Sequence, residues 1–230
     1  MGSLGSLAKV KLVAVILFLF FQVYLLAIRK HDCLDLDIYP NTVVAPALFA
    51  GNVVGQSFVA KKDGVARIDL IFTTYQREND KDIIFRLFQE KPRRLLIEKV
   101  FNASSLKDNF YQPIRFKPQK NIRNKKLFFE LLSPASTLDN CAAVWMNEKN
   151  IYREGEYLFK RSPEKGDLVF RVYSRRPIVT ELGRITRHAK GIFGHLPALI
   201  IAIILFEVAQ CFLLVRLIDI FWRAWRASAS

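Results

Sequence analysis

The chain has 230 residues, 35 Lys and Arg against 21 Asp and Glu, a net charge of +14, and 51% hydrophobic residues. A mean hydropathy of +0.15 alongside 24% charged residues requires the two populations to be segregated along the chain. This argues against a disordered chain, a freely soluble protein and a multi-pass transporter.

Two apolar stretches carry the segregation. Residues 12–28 hold no charge, and residues 193–215 hold a single one, Glu207. At about 1.5 Å per residue they are roughly 25 and 35 Å long, close to the ~30 Å hydrocarbon core of a bilayer, so the expectation is two membrane-crossing helices, 12–28 and 193–217. The first is too long for a cleaved leader and reads as a retained anchor. Residues 1–11 and the basic tail 218–230 then lie in the cytoplasm. The segment between the helices is expected on the far, extracytoplasmic or periplasmic, side of an inner (plasma) membrane. Lys and Arg flank both ends of each stretch, so charge asymmetry does not decide the orientation.

Residues 29–176 read as a β-rich module. Leu34, Leu36 and Ile38 alternate with Asp35 and Asp37, a period of two. Further strands are expected at 53–60, 66–75, 82–89, 95–101, 111–117, 125–132, 141–147, 155–160 and 168–173, with one helical turn within 102–109. Turn residues recur between them (Asp63-Gly64, Pro118, Ser133-Pro134, Pro163, Gly166). Even spacing without amphipathic helices predicts a mostly β fold, an antiparallel jelly-roll sandwich of about 8–10 strands. Cys33 and Cys141 are the module's two cysteines, and either a disulfide or two buried thiols would suit them.

Ile178, Leu182, Ile185, Ala189 and Ile192 recur at helical spacing. They predict an amphipathic linker over 177–192 that presents Arg184, Arg187 and Lys190 to a membrane surface, or an ordinary connection. Trp222 and Trp225 beside Arg223 and Arg226 fit an interfacial belt. Glu207 and Gln210 share one face of the second helix, and a carboxylate there requires a polar partner. Gln22, the strongly polar residue of 12–28, is one candidate. A neighbouring integral membrane protein is the other.

The run Gly55-Gln56-Ser57-Phe58-Val59-Ala60, then Gly64-Val65-Ala66-Arg67-Ile68-Asp69-Leu70, Thr74-Tyr75-Gln76-Arg77-Glu78-Asn79 and Ile84-Phe85-Arg86-Leu87 forms one part of a wider pattern. Asn109-Phe110-Tyr111, Leu127-Phe128-Phe129-Glu130, Val144-Trp145 and Gly166-Asp167-Leu168-Val169-Phe170-Arg171 continue it. In this order the segment 53–173 resembles the galactose-binding-like β-sandwich modules of bacterial envelope proteins, which often accompany membrane glycosyltransferases. The resemblance implies a jelly roll and recognition of sugar or of a partner, without catalysis.

Sugar recognition needs aromatic faces beside hydrogen-bonding side chains, which nominates Tyr75, Arg77, Asn79, Trp145 and Tyr152 near strand ends and turns. The three histidines (His31, His188 and His195) sit at the module's margins, and no catalytic or phosphate-binding motif occurs, so no enzyme, cofactor or metal site is expected. Asp35 and Asp37 read as a solvated strand face. Residues 31–190 carry 28 basic against 19 acidic side chains, densest at Lys117, Lys120, Arg123, Lys125 and Lys126. Such charge suits anionic glycan, lipid headgroups or an acidic partner, while nucleic acid is not expected. The function these features predict is a non-catalytic accessory or structural subunit that binds partner membrane proteins or glycan. It would serve an envelope polysaccharide glycosyltransferase or exporter, or a respiratory, photosynthetic or transport complex.

Overall fold

The computed structural model describes residues 2–177 and 196–228. The chain divides into two compact units: residues 32–175, and a helical unit made from the two ends, residues 1–31 and 176–230.

The larger unit is built from antiparallel strands in two sheets. The first sheet contains β1 (Lys30–Asp37), β2 (Val43–Val44), β4 (Val65–Thr73), β7 (Phe110–Gln119), β9 (Ala143–Asn147), β12 (Asp167–Leu168) and β13 (Phe170–Pro177), in the order β1-β13-β4-β9-β12. Strand β7 pairs with β4, and β2 pairs with β9. The second sheet runs β11-β10-β3-β8-β5-β6, from β3 (Val53–Val59), β5 (Asp82–Gln89), β6 (Arg94–Asn102), β8 (Lys126–Leu132), β10 (Tyr157–Phe159) and β11 (Ser162–Glu164). A 3-10 turn, Ala103–Ser105, follows β6, where one helical turn was expected.

Period-two alternation makes the core. Ile68, Leu70 and Phe72 of β4 point inward with Val144, Leu168, Phe170 and Val172, and meet Val54, Phe58, Phe85, Leu87, Leu127 and Phe129 of the other sheet. Phe129 contacts Phe170 edge-on at 5.3 Å between ring centroids, and Phe58 lies 5.8 Å from Phe170, so aromatic pairs join the layers. A buried polar clamp adds to them. Gln56 of β3 donates to Asp167 Oδ1 at 2.9 Å and accepts from Leu168 N, while Tyr152 N donates to Asp167 Oδ2 at 2.8 Å. At Gly155 a side chain would strike the Tyr152 ring, 2.7 Å from the Cβ position, so the loop before β10 closes onto β3 only as glycine. Pro113 and Pro118 lie within β7, and Pro113 sits in register opposite Asp69.

The helical unit departs from expectation. Helix α1 (Gly2–Val23) stops five residues short of the end of the apolar stretch, because Tyr24–Ile28 widens into a π turn. Helix α2 (Leu196–Ser228) carries Glu207, Arg216, Asp219 and Arg223 along its length. No helix among the described residues is long and apolar enough to cross a membrane. The two expected membrane-crossing helices, and the inner-membrane, two-span placement with a periplasmic domain built on them, are therefore withdrawn. So is the role of Trp222 and Trp225 as a membrane-interface belt; on α2 their rings pack against each other at 5.5 Å. Apart from Pro177, the expected linker 177–192 with Arg184, Arg187 and Lys190 lies outside the described residues.

Candidate functional site

Four of the nominated positions gather at the end of the sandwich where β4 runs out. Arg77 N donates to Thr74 O at 3.1 Å, closing a turn in which Tyr75 and Gln76 both adopt left-handed backbone, φ 55° and 56°. Side chains with a Cβ avoid that region, and such strain collects at functional loops. The turn is held from outside itself: Asp108 Oδ1 accepts from Thr74 N at 2.6 Å and from the Thr73 and Thr74 hydroxyls at 3.1 Å. Tyr75 is 39% exposed, with the Arg77 guanidinium 5.2 Å from its ring centroid. Arg77 also donates to Leu138 O at 3.2 Å, which ties this turn to the loop before β9. Partial burial pushes the Tyr75 phenol up, helped by the neighbouring Cys141 and opposed by Arg77.

Asn79 lies under this turn. Its Nδ2 donates to Thr74 O at 3.1 Å, and its enclosed Oδ1 has no hydrogen-bond partner among the described residues. Trp145 projects from the outer side of β9 and donates through Nε1 to Asn109 Oδ1 at 2.8 Å. Tyr152 is the outlier. It is 7% exposed, its hydroxyl accepts from Val59 N at 3.1 Å, and its ring packs on Gly155, so it belongs to the core and not to a ligand surface. Cys141 carries a free thiol that donates to Leu138 O at 3.3 Å and that burial pushes up, so the alternative of a Cys33–Cys141 disulfide is not the one the structure takes.

A second surface escaped sequence reasoning. The outward residues of β4, β7 and β13 form a ladder of arginine, aspartate and tyrosine. Arg67 grips Asp69 through two bonds of 2.5 Å and lies 4.3 Å from the Tyr173 ring centroid. Arg171 lies 4.0 Å from the centroid of Tyr111 and bonds Asp37 at 3.0 Å. Asp32 accepts from Arg115 and pairs with Arg67 at 3.5 Å. Burial works to raise the Asp32 carboxyl, but the bonds and charges of Arg115 and Arg67 outweigh it and hold the group low. Asp32, Asp37 and the Ser174-bonded Asp35 are thus strand-to-strand ties, not a solvated face. The signal lay in the i, i+2 pairs Arg67/Asp69 and Arg171/Tyr173, which a period of two sends to the same face.

The helical unit presents the third surface. Gln22 donates to Gln210 Oε1 at 3.0 Å, and Lys11 pairs with Asp219. Glu207 lies one turn from Gln210, half-buried, and its Oε2 has no partner among the described residues. Polar groups therefore face inward between α1 and α2, while Leu17, Phe20, Phe206, Phe212 and Phe221 are 61–72% exposed. Of the two candidate partners for the Glu207 and Gln210 face, Gln22 meets Gln210, and among the described residues no bond joins it to Glu207. Among the described residues no group of three His, Cys, Asp or Glu is placed to hold a metal ion. The chain matches no family profile, and no curated protein aligns with it significantly.

Proposed function

We propose that the chain is a non-catalytic accessory subunit whose helix pair seats against an apolar surface of a partner protein, leaving the sandwich as its recognition module. The inverted polarity of the helix pair carries this reading. Apolar patches of this extent on one protein mark surfaces that are covered in the functional state. An inward Gln–Gln bond and an ion pair leave the large apolar side chains outward, with Lys9, Arg216 and Arg223 exposed among them. Phe20→Glu with Phe206→Glu is expected to abolish co-purification of the partner at fixed ratio, because each buried phenylalanine is worth about 1.5–3 kcal/mol. Recovery of the unsubstituted chain alone, with no subunit in fixed ratio, would overturn the proposal.

Glycan recognition at the Tyr75 turn is a second reading. The consecutive left-handed residues there favour it, since they hold an exposed ring and a guanidinium in a fixed relation. The similarity of segment 53–173 to galactose-binding-like modules supports the same reading.

A further inference from the structure

The end of the sandwich opposite the Tyr75 turn is formed by two connections bonded into one platform. Gly64 N donates to Gln119 O at 2.7 Å, Asn124 N to Ala60 O at 2.7 Å, and Ala60 N to Lys125 O at 3.0 Å. Asp63 Oδ1 accepts from Ile122 N and Arg123 N at 2.7 and 3.0 Å, and Ile122, 1% exposed, plugs the platform into the core. Left-handed backbone at Gly64 (φ 86°), Asn121 (56°) and Asn124 (59°) sets the turns, with the residue types that tolerate it.

This platform displays Lys61, Lys62, Lys117, Lys120, Arg123 and Lys125, all exposed. Lys61 pairs with Glu154; the other five make no ion pair among the described residues. The one acidic residue within 60–64 and 117–125, Asp63, is committed to the two backbone N–H groups of the other loop.

We propose that this basic pole docks on an anionic phospholipid surface. Five of the six cations are lysines, compact charges suited to a diffuse negative potential, where arginine forks would suit one stereospecific anion. The two loops contain no aromatic residue, so nothing there can stack on a sugar ring. Both chain connections of the sandwich begin at the same pole: Asp32 is anchored by Arg115 and Arg67 near the start of β4, and Arg175 N donates to Gly64 O at 2.8 Å. Docking of this kind needs no helix that crosses the bilayer, and it rests on the sandwich alone.

Lysine acylation of the full chain, read by mass spectrometry, tests the assignment in the presence of phosphatidylcholine vesicles with and without phosphatidylglycerol. Acylation of Lys62, Lys120 and Lys125 is expected to slow at least about fivefold with the anionic vesicles alone, and to recover in high salt, as a headgroup potential requires. Lys81 and Lys107, at the other end of the sandwich, should not respond. In the Lys120→Glu, Arg123→Glu, Lys125→Glu variant, protection of Lys62 should disappear while the far-UV spectrum is kept. Equal protection by neutral vesicles, no protection by either, or protection by soluble heparin in place of vesicles would each overturn the proposal.

Discussion

Tyr157 shows what a single buried polar atom does in this module. The side chain is 3% exposed within the core, and its hydroxyl has no hydrogen-bond partner among the described residues. Burial, with a contribution from Glu164, pushes the phenol up to about 12 from an ordinary 10.0. The folded state thus holds this proton more tightly than the unfolded chain. The group's contribution to stability is intact below pH 10 and is lost as the pH climbs towards about 12. Tyr157→Phe removes the unsatisfied hydroxyl and should stabilise by about 1 kcal/mol at neutral pH. Urea melts at pH 7 and across the alkaline range check both statements: the variant's loss between 10 and 12 should be shallower.

The turn after β4 is the element on which the glycan reading stands. Its shape is imposed by Asp108 and by Asn79 under it, not by the Tyr75 ring. Tyr75→Ala should therefore leave the thermal midpoint within a few degrees while weakening any glycan signal on an array roughly tenfold, a stacked ring being worth on the order of 1 kcal/mol. An unchanged signal would remove Tyr75 from the site. Much of this element level was legible in the sequence. The strands expected at 53–60, 82–89 and 125–132 are found at Val53–Val59, Asp82–Gln89 and Lys126–Leu132; Asp82–Gln89 alternates with a period of two, while Val53–Val59 is buried on both faces along its middle. The two-residue strand β2 and the three-residue β11 leave no such record, being too short to show a period. Side-chain destinations were less legible. Tyr152 and Tyr75 both stand near turns, and the difference lies in groups far along the chain: Val59 beside one, and the 138–141 loop, reached through the adjacent Arg77, beside the other. The π turn at Tyr24–Ile28 was invisible to hydropathy, which counts apolar residues without knowing where the helix changes pitch.

Across the whole molecule, the two sheets are joined by Gln56, Asp167 and the Tyr152 backbone as well as by rings. Burial raises the Asp167 carboxyl above its ordinary 3.8, although the hydrogen bonds it accepts pull the other way. The contribution of this group to stability is full below the ordinary carboxyl value and falls as the pH rises through the raised one. In Asp167→Asn an amide NH₂ must face either Gln56 Nε2 or Tyr152 N, donor against donor, at a cost of about 1–3 kcal/mol. Denaturant melts at neutral pH should show that loss, and the variant's acid profile should lack the Asp167 slope. The long outer strands differ in another respect. Pro113 and Pro118 deprive β7 of two amide donors, so that margin makes a poor template for an added chain. The nine residues of β6 hold no proline and are bonded on one side by β5. If crowded copies of this protein seed fibrils, the first contact forms along residues 94–102, where Arg94, Glu98 and Lys99 are the gatekeepers against self-assembly.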